Sequence, residues 1–323
     1  MINLILLSVS LFAVLLYGAI GEMITEKAGH LNLGTPGTMC FGGVGGCLGV
    51  YLAVKMVGYE GFGPGLLIIL FAIVFTIIFG GLVGLLYSFL TVTLRSNQNI
   101  TGLAISIFGV AGANFLGSKI EDGSLLMTAA NEYFGSMFGI TSDSPVGVRL
   151  FFGYGFLVYI AIIIAVLAHL FFKKTKMGLR LRAVGENPAT ADAVGINVTR
   201  YRYISTIVGS AIAAFGGLTY VMVHMYGAFE QAVSIESLGW LAVALVIFSI
   251  WRPLICIGGS FIFAILYELP YAGVLTVSSA GFEALKILPY LVTIIILIIT
   301  SIFGGKNVQP PQSLGSNYFR EDR

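Results

Sequence analysis

Carboxamide side chains are the polar groups best placed to do chemistry in this sequence, because they stand within or beside long apolar stretches. They are Asn32, Asn97, Gln98 and Asn114. A carboxamide both donates and accepts hydrogen bonds, which suits uncharged hydroxylated or heterocyclic solutes. An unsatisfied polar group is costly in hydrocarbon, so it usually turns towards protein or a cavity. We predict that these side chains line a path for a small polar solute, with hydrogen bonding between helices as the alternative.

The sequence does not point to a catalytic centre. No grouping of His, Asp and Glu has the spacing of a metal site or an acid–base pair near one membrane face. The only Gly-Lys pair, Gly305-Lys306, is not preceded by a glycine-rich phosphate loop. The three cysteines stand in apolar stretches and are expected to pack as small hydrophobes. We therefore predict that the chain is not an enzyme and holds no metal or cofactor of its own.

Three titratable residues stand near the ends of apolar runs, namely Glu268, His169 and His224. We expect Glu268, which lies between Tyr267 and Tyr271, to stand at the membrane interface within an aromatic belt. A role as a proton relay is the alternative for this carboxyl group. His169 and His224 are assigned no chemistry.

The elements that must position these groups are membrane helices. Hydrophobic residues make up 57% of the chain and charged residues 10%, whereas about a quarter of an ordinary soluble domain is charged. The apolar runs are long enough to cross the hydrocarbon core. Strands of a membrane barrel would alternate over roughly ten residues, and that pattern is absent. A net charge of +2 argues against a nucleic-acid partner. The fold class is all-α and polytopic, in a single domain over residues 1–323.

We predict about nine transmembrane helices, with eight to ten as the range. The predicted spans are 3–20, 35–57, 66–92, 98–117, 150–172, 203–223, 237–251, 253–271 and 285–303. Pairs of glycines four residues apart, such as Gly42/Gly46 and Gly80/Gly84, favour close packing of these helices within the chain.

Two stretches outside the predicted spans are long, namely 118–149 and 173–202. We place the first outside the cell and the second in the cytoplasm. The amino terminus is then outside, and the 304–323 tail is cytoplasmic. Of the 17 Lys and Arg residues, all but Lys55, Lys119, Arg149 and Lys286 fall in predicted cytoplasmic segments, as the positive-inside rule requires.

The centre of the 173–202 loop has the pattern of a short, bounded helix. Asn187 can cap it, Pro188 suits its first position, and Gly195 suits the left-handed residue that ends it. A helix of two turns is marginal alone in water. We expect its small apolar face to fit a groove on another protein. The alternative is a basic loop held at anionic lipid headgroups by Lys173, Lys174, Lys176, Arg180 and Arg182.

The segment GLRLRAVGENP (178–188), followed by Ala191 and Gly195-Ile196, resembles the cytoplasmic coupling segment of binding-protein-dependent ABC importer permeases. The branch that it resembles serves simple sugars, nucleosides and branched-chain amino acids. Other matching segments are GEMITEKAGHLNLG (21–34), RSNQ (95–98) with TGLA (101–104), GWLAVALVIF (239–248) with WRPL (251–254), and LPYLVT (288–293). The chain departs from the pattern at 248–250, where Phe-Ser-Ile replaces the usual glycine-containing turn.

The resemblance implies a division of labour among subunits. Two permease subunits, expected to be a heterodimer, form the pathway in the plasma membrane. A cytoplasmic ABC ATPase binds ATP beneath them, and an extracellular substrate-binding lipoprotein delivers the solute. The solute would be a nucleoside or a related small polar molecule such as a simple sugar or a flavin-like heterocycle. A secondary transporter or channel is the alternative, and a polytopic membrane enzyme is a third reading.

The resemblance also implies which residues contact or move with the ATPase. These coupling residues are Gly178, Arg182, Gly185, Glu186, Asn187, Pro188, Ala191 and Gly195. Arg182 and Glu186 flank the short helix and are expected to pair with charged groups on the ATPase.

Overall fold

The computed structural model describes residues 2–59, 61–140, 144–229, 231–273, 278–303 and 309–319, which fold into α-helices joined by short turns. The helices are α1 (Ile2–Glu26), α2 (Thr35–Val57), α3 (Phe62–Ser88), α4 (Gln98–Gly117), α5 (Gly123–Ala129), α6 (Val146–Phe152), α7 (Phe156–Lys174), α8 (Lys176–Glu186), α9 (Pro188–Ala193), α10 (Val198–Thr219), α11 (Ala232–Phe248), α12 (Pro253–Glu268), α13 (Ser279–Lys286) and α14 (Leu288–Phe303). Single π-helical segments extend α3, α5 and α10, at Phe89–Thr93, Ala130–Phe134 and Tyr220–His224. The predicted all-α polytopic fold is confirmed for these residues.

Among the described residues, six helices are long and apolar enough to cross a membrane. They are α1, α2, α3 with its π-helical extension, α4, α7, and α10 with its extension. The apolar helices α11 and α12 are shorter, with 17 and 16 residues. A helix stands at each of the nine predicted positions, but the number that crosses the membrane stays a prediction.

Helix α1 lies at the centre of the bundle. Its side chains from Leu11 to Ile20 are almost completely buried, and α2, α7, α10, α11 and α12 surround it. The predicted glycine pairs lie where α2 and α3 meet α10. A Cβ atom added to Gly42 would lie 2.3 Å from the Cβ atom of Ala214, and one added to Gly80 would lie 2.5 Å from that same atom. These glycines therefore pack helices within the chain, as predicted.

The two stretches predicted to lie between the membrane spans, 118–149 and 173–202, are largely helical, and their place outside the membrane stays a prediction. Residues 118–149 contain α5, its π-helical extension and the start of α6, and Leu126 and Phe134 are buried in the core. Residues 173–202 contain the end of α7, all of α8 and α9, and the start of α10. Both regions contain enough apolar side chains to pack against the bundle, and that packing stabilises helices too short to persist alone.

Contacts between distant residues define two ends of the bundle. At the first, which we call the α9 end, the indole N–H of Trp251 donates to the carboxyl group of Glu26, and Ser313 bonds to Gly185. At the opposite end, the Ala232 N–H donates to Asn114 Oδ1 at 3.0 Å. The carboxyl-terminal ends of α1, α3, α7 and α11 therefore lie at the α9 end, together with the amino-terminal ends of α2, α4, α10 and α12.

Candidate coupling surface at the α9 end

The short helix α9 begins and ends at the predicted residues. Asn187 Oδ1 accepts a hydrogen bond from the Thr190 N–H at 2.9 Å, and Pro188 takes the first helical position. Gly195 follows the helix with a φ of +83°, a conformation that costs glycine little. The helix is therefore fixed at both ends by local chemistry that the sequence displays.

Helix α8, which was not predicted from the sequence, directly precedes α9 and holds it against the bundle. Thr175 Oγ1 caps it by accepting from the Gly178 N–H at 3.0 Å. A Cβ atom at Gly178 would lie 2.0 Å from the Phe171 carbonyl oxygen, and one at Gly185 would lie 2.3 Å from the Lys27 carbonyl oxygen. Both glycines therefore allow α8 to contact backbone, on α7 and on the turn between α1 and α2.

One side of α9 packs within its own chain, and the prediction that its small apolar face fits a groove on another protein stays a prediction. Ala191 is 3% exposed and forms a buried cluster with Val184 and Val198. The exposed groups of this region include Arg182 and Glu186 on α8, the α9 residues Ala189, Thr190 and Ala193, and Val194, which is 72% exposed. A partner at this surface would therefore meet the charged side of α8 and the outer side of α9.

Residues 309–319, which we call the strap, cross the α9 end and fasten its parts together. Ser313 Oγ donates to the Gly185 carbonyl oxygen at 2.6 Å, and Tyr318 Oη donates to Asp192 Oδ2 at 2.9 Å. Asn317 Nδ2 donates to the Arg95 carbonyl oxygen at 2.9 Å. The strap thus links α8 and α9 to the turn between α3 and α4.

The turn between α1 and α2 encloses two buried carboxyl groups, on Glu22 and Glu26. Glu22 accepts from the Asn32 N–H at 3.1 Å and from the Thr35 hydroxyl group. Glu26 accepts from the indole of Trp251. Trp251 and its neighbour Ile250 have φ values of +51° and +54°, so the turn without glycine noted in the sequence is left-handed. Glu26 thus joins α1 to the α11–α12 turn, and Glu22 joins α1 to the α1–α2 turn and the start of α2.

The four carboxamides predicted to line a solute path are not gathered in one place. Asn32 Oδ1 accepts from the Gly34 N–H at 3.0 Å, and Gln98 Oε1 accepts from the Leu31 N–H at 2.9 Å. Asn97 caps α4 through the N–H groups of Asn99 and Ile100. These three lie at the α9 end, and Asn114 lies at the opposite end of α4. Gln98 and Asn114 bond to other elements of the bundle, whereas the bonds of Asn32 and Asn97 are local turn and cap contacts. Contact of any of the four with a solute stays a prediction.

A buried pair near the opposite end was missed by sequence reasoning. Glu268, which ends α12, is 4% exposed, and its Oε1 lies 3.4 Å from His224 Nε2. Its position at the membrane interface stays a prediction. His224 Nδ1 lies 2.9 Å from Ser10 Oγ. The three residues come from α12, α10 and α1, so no local sequence pattern could have indicated the cluster.

Lys27 offers a test of the electrostatics at the α9 end. Burial lowers the pKa of its ammonium group to about 8, and the charge of Arg182 acts in the same direction. Between about pH 8 and the ordinary value of 10.5, the unfolded chain binds more protons at Lys27 than the folded chain does. The contribution of Lys27 to the free energy of unfolding therefore rises with pH across that interval.

We expect the difference in stability between the wild type and Lys27→Met to grow in favour of the wild type from pH 8 to 10.5. Chemical unfolding in detergent at several pH values measures it. Lys119→Met, at the opposite end, is the matched control. A pH-independent difference for Lys27→Met would contradict the burial of this charge.

Comparison with known proteins identifies the class to which this arrangement belongs. Residues 4–301 match the family described as branched-chain amino acid transport system / permease component. This chain belongs to that permease family. A putative glucose ABC transporter permease of Haloferax volcanii is 30% identical, with 95% of this chain and 94% of the relative covered. A nucleoside ABC transporter permease of Lactococcus lactis is also 30% identical, with 95% and 93% covered. A guanosine ABC transporter permease of Bacillus subtilis is 25% identical, with 96% and 94% covered.

The family match extends from α1 to α14 and includes the whole α8–α9 region. The permease is therefore a multi-pass protein of the plasma membrane. The resemblance found in the sequence at 178–188 is confirmed at the level of the family, whereas the coupling role of individual residues stays a prediction.

Proposed function

We propose that this permease is the membrane subunit of an ATP-driven ABC importer for nucleosides or related small polar solutes, including simple sugars and flavin-like heterocycles. The observation that carries the proposal is the family match over residues 4–301. The relatives named for nucleoside, guanosine and putative glucose transport cover almost the whole chain.

We propose nine spans, with the α9 end in the cytoplasm and the amino terminus outside. The charges support this orientation. Ten basic residues lie at the α9 end, namely Lys27, Arg95, Lys173, Lys174, Lys176, Arg180, Arg182, Arg200, Arg202 and Arg252. The other predicted cytoplasmic charges, Lys306, Arg320 and Arg323, lie outside the described residues. Only Lys55, Lys119, Arg149 and Lys286 lie towards the opposite end, as the positive-inside rule requires of an external face.

The 118–149 segment would then face outwards and help to receive a substrate-binding lipoprotein. Glu121, Asp122 and Glu132 are exposed there, and Asp143 lies outside the described residues. The 304–323 tail would be cytoplasmic, and its strap would hold the coupling region. Asn114, exposed at the outer end of α4, is then the carboxamide best placed to meet an incoming solute.

In this proposal α9 transmits the movement of a cytoplasmic ABC ATPase, which binds the ATP, to the membrane helices. A capped helix moves as a unit, whereas an unstructured loop would absorb the displacement. Arg182 and Glu186, exposed on α8, would pair with the ATPase. A second permease subunit, expected to differ from this one, completes the pathway.

Substitution of the residues that bound α9 tests the coupling role. Gly195→Ala places a side chain at φ +83° in open space, at a cost of about 1–2 kcal/mol. We expect this change, and Pro188→Gly, to reduce nucleoside import per ATP hydrolysed about fivefold while the permease remains inserted. Proteoliposomes containing the complete transporter measure both rates.

Gly139→Ala is the control, because Gly139 also has a positive φ, +62°, and open space around it, but lies near the opposite end. Normal import per ATP in the α9 variants would show that α9 is not the coupling element.

A second experiment separates the importer from a secondary transporter or channel. We expect the permease reconstituted alone to move no labelled nucleoside, and uptake to appear only with ATPase, binding protein and ATP. Uptake that follows an ion gradient without ATP would contradict the proposed function.

A further inference from the structure

The cluster of Ser10, His224 and Glu268 joins three helices away from the α9 end. Ser10 lies in the first half of the central helix α1, His224 ends the π-helical extension of α10, and Glu268 ends α12. Ser10 is 8% exposed and Glu268 is 4% exposed, and the side chain of His224 is 13% exposed. Neither the family match nor the proposed coupling role assigns a task to these groups.

The hydrogen bonds of Ser10 determine which imidazole nitrogen of His224 carries a proton. Ser10 Oγ donates to the Leu7 carbonyl oxygen at 2.8 Å, and a hydroxyl group has only one proton to donate. In the contact between Ser10 Oγ and His224 Nδ1, at 2.9 Å, the imidazole N–H is therefore the donor. His224 Nε2 then faces Glu268 Oε1 at 3.4 Å. Any further proton of the cluster is held at one of these two atoms.

A single proton on Nε2 or Oε1 leaves the pair of His224 and Glu268 without net charge. The pair is then an imidazolium with a carboxylate, or an imidazole with a carboxylic acid. A second proton gives an imidazolium beside a neutral carboxyl group, and loss of the proton gives a carboxylate beside a neutral imidazole. Either change leaves a buried charge without a partner, which is destabilising. The joint between α1, α10 and α12 is therefore strongest when the pair holds one proton.

Other titratable groups around the cluster do not neutralise such a charge. Tyr220 stacks on the His224 ring with a centroid separation of 5.4 Å, and Tyr267 directly precedes Glu268. Charged residues near this end, on elements that pack against the three helices, are Lys55 on α2, Glu132 on the extension of α5, Arg149 on α6 and Glu236 on α11. Within the part of the chain that the structure describes, none of them forms an ion pair with His224 or Glu268.

The backbone at His224 is wound as a π-helix. In the segment Tyr220–His224, the Met225 N–H donates to the Tyr220 carbonyl oxygen at 2.9 Å. Such segments are rare and are frequently found at functional sites. His224 is the last residue of the segment, so a change of charge in the cluster acts directly on it.

We propose that Ser10, His224 and Glu268 form a proton-binding site that holds the end of α10 to α1 and α12. Loss of the single proton loosens the π-helical end of α10. At neutral pH an unfolded chain has an ionised glutamate and a largely uncharged histidine, so the folded cluster binds more protons than the unfolded chain does. The stability that the cluster supplies therefore falls as the pH rises. This inference does not rest on the proposed importer function.

Nitrogen NMR of the histidine rings tests the site on the full-length permease in phosphatidylcholine nanodiscs. The chain has three histidines, so isotope-labelled histidine gives few signals, and the signals lost in His224→Gln are those of His224. We expect them to shift in two steps with pH in the wild type, because coupled groups release their protons in two steps. Glu268→Gln should leave one step. Glu283→Gln, which removes an exposed carboxyl group from α13, should leave both.

Thermal unfolding in detergent from about pH 7 to 9 measures the effect on stability. We expect the melting temperature of the wild type to fall relative to that of Glu268→Gln, because the glutamine can donate to Nε2 but cannot lose its proton. Identical pH profiles for these two proteins would overturn the proposal. A single step for His224 in the wild type would also overturn it, and that result is available even if Glu268→Gln does not fold.

Discussion

Gly185→Ala is expected to abolish most ATP-driven import, because the added methyl group cannot fit between α8 and the α1–α2 turn. Its Cβ atom would lie 2.3 Å from the Lys27 carbonyl oxygen and 3.2 Å from the Gly29 nitrogen. Both contacts are with backbone, so no side chain can rotate away. Overpacking of this kind costs about 1–3 kcal/mol, and about 1.4 kcal/mol corresponds to a tenfold change in an equilibrium. We therefore expect import to fall about tenfold, with α8 displaced and its bond to Ser313 weakened.

Gly258→Ala is the control for that experiment. Gly258 is also a helical glycine, in α12, but an added Cβ atom there would meet nothing within 4 Å. Because alanine is the better helix former, this change should leave import intact and raise stability slightly. Import by purified, reconstituted transporter and protease sensitivity of the 176–195 region measure the two effects. Unchanged import in Gly185→Ala would show that the close approach of α8 to the turn is not needed.

Trp251→Phe is expected to give the largest loss of stability. The substitution removes the indole N–H that donates to Glu26, and Glu26 is 2% exposed. A buried carboxyl group that loses its donor is destabilised by about 2–3 kcal/mol. The bond also joins α1 to the α11–α12 turn, so its loss should loosen both elements. Thermal unfolding in detergent measures the effect.

The chain contains one other tryptophan, Trp240, which is half-buried in α11. Trp240→Phe removes the same N–H group and the same ring volume at a different position, so it is the matched control. We expect it to lower the melting temperature far less than Trp251→Phe does. Equal losses for the two variants would refute a special role for the Trp251–Glu26 bond.

The helix α9 could be predicted from the sequence because its stability is encoded locally, in the cap Asn187, in Pro188 and in Gly195. The membrane fold could be predicted because long apolar runs have few alternatives in lipid. Helix α8 was missed since Gly178 and Gly185 are poor helix formers. Their presence is explained only by close contact with backbone elsewhere in the chain.

The polar contacts of the candidate site could not be predicted from the sequence, because they join residues that are far apart in the chain. Glu26 and Trp251 are 225 residues apart, and Tyr318 and Asp192 are 126 apart. Pairs at such separations become visible only once the order of helices around α1 is known. The contact of Asn32 with a solute stays a prediction. Its bond to Gly34 is a turn contact, which its position directly before Leu33-Gly34 could have suggested.

The strap also has a consequence for biosynthesis. Residues 313–318 follow every helix that the structure describes, so the ribosome makes them after the parts that they fasten. Until then, Gly185 and Asp192 lack their bonds to Ser313 and Tyr318, and α8 and α9 are held only by their own packing. Assembly with a partner at this surface would thus favour chains whose synthesis has passed the strap.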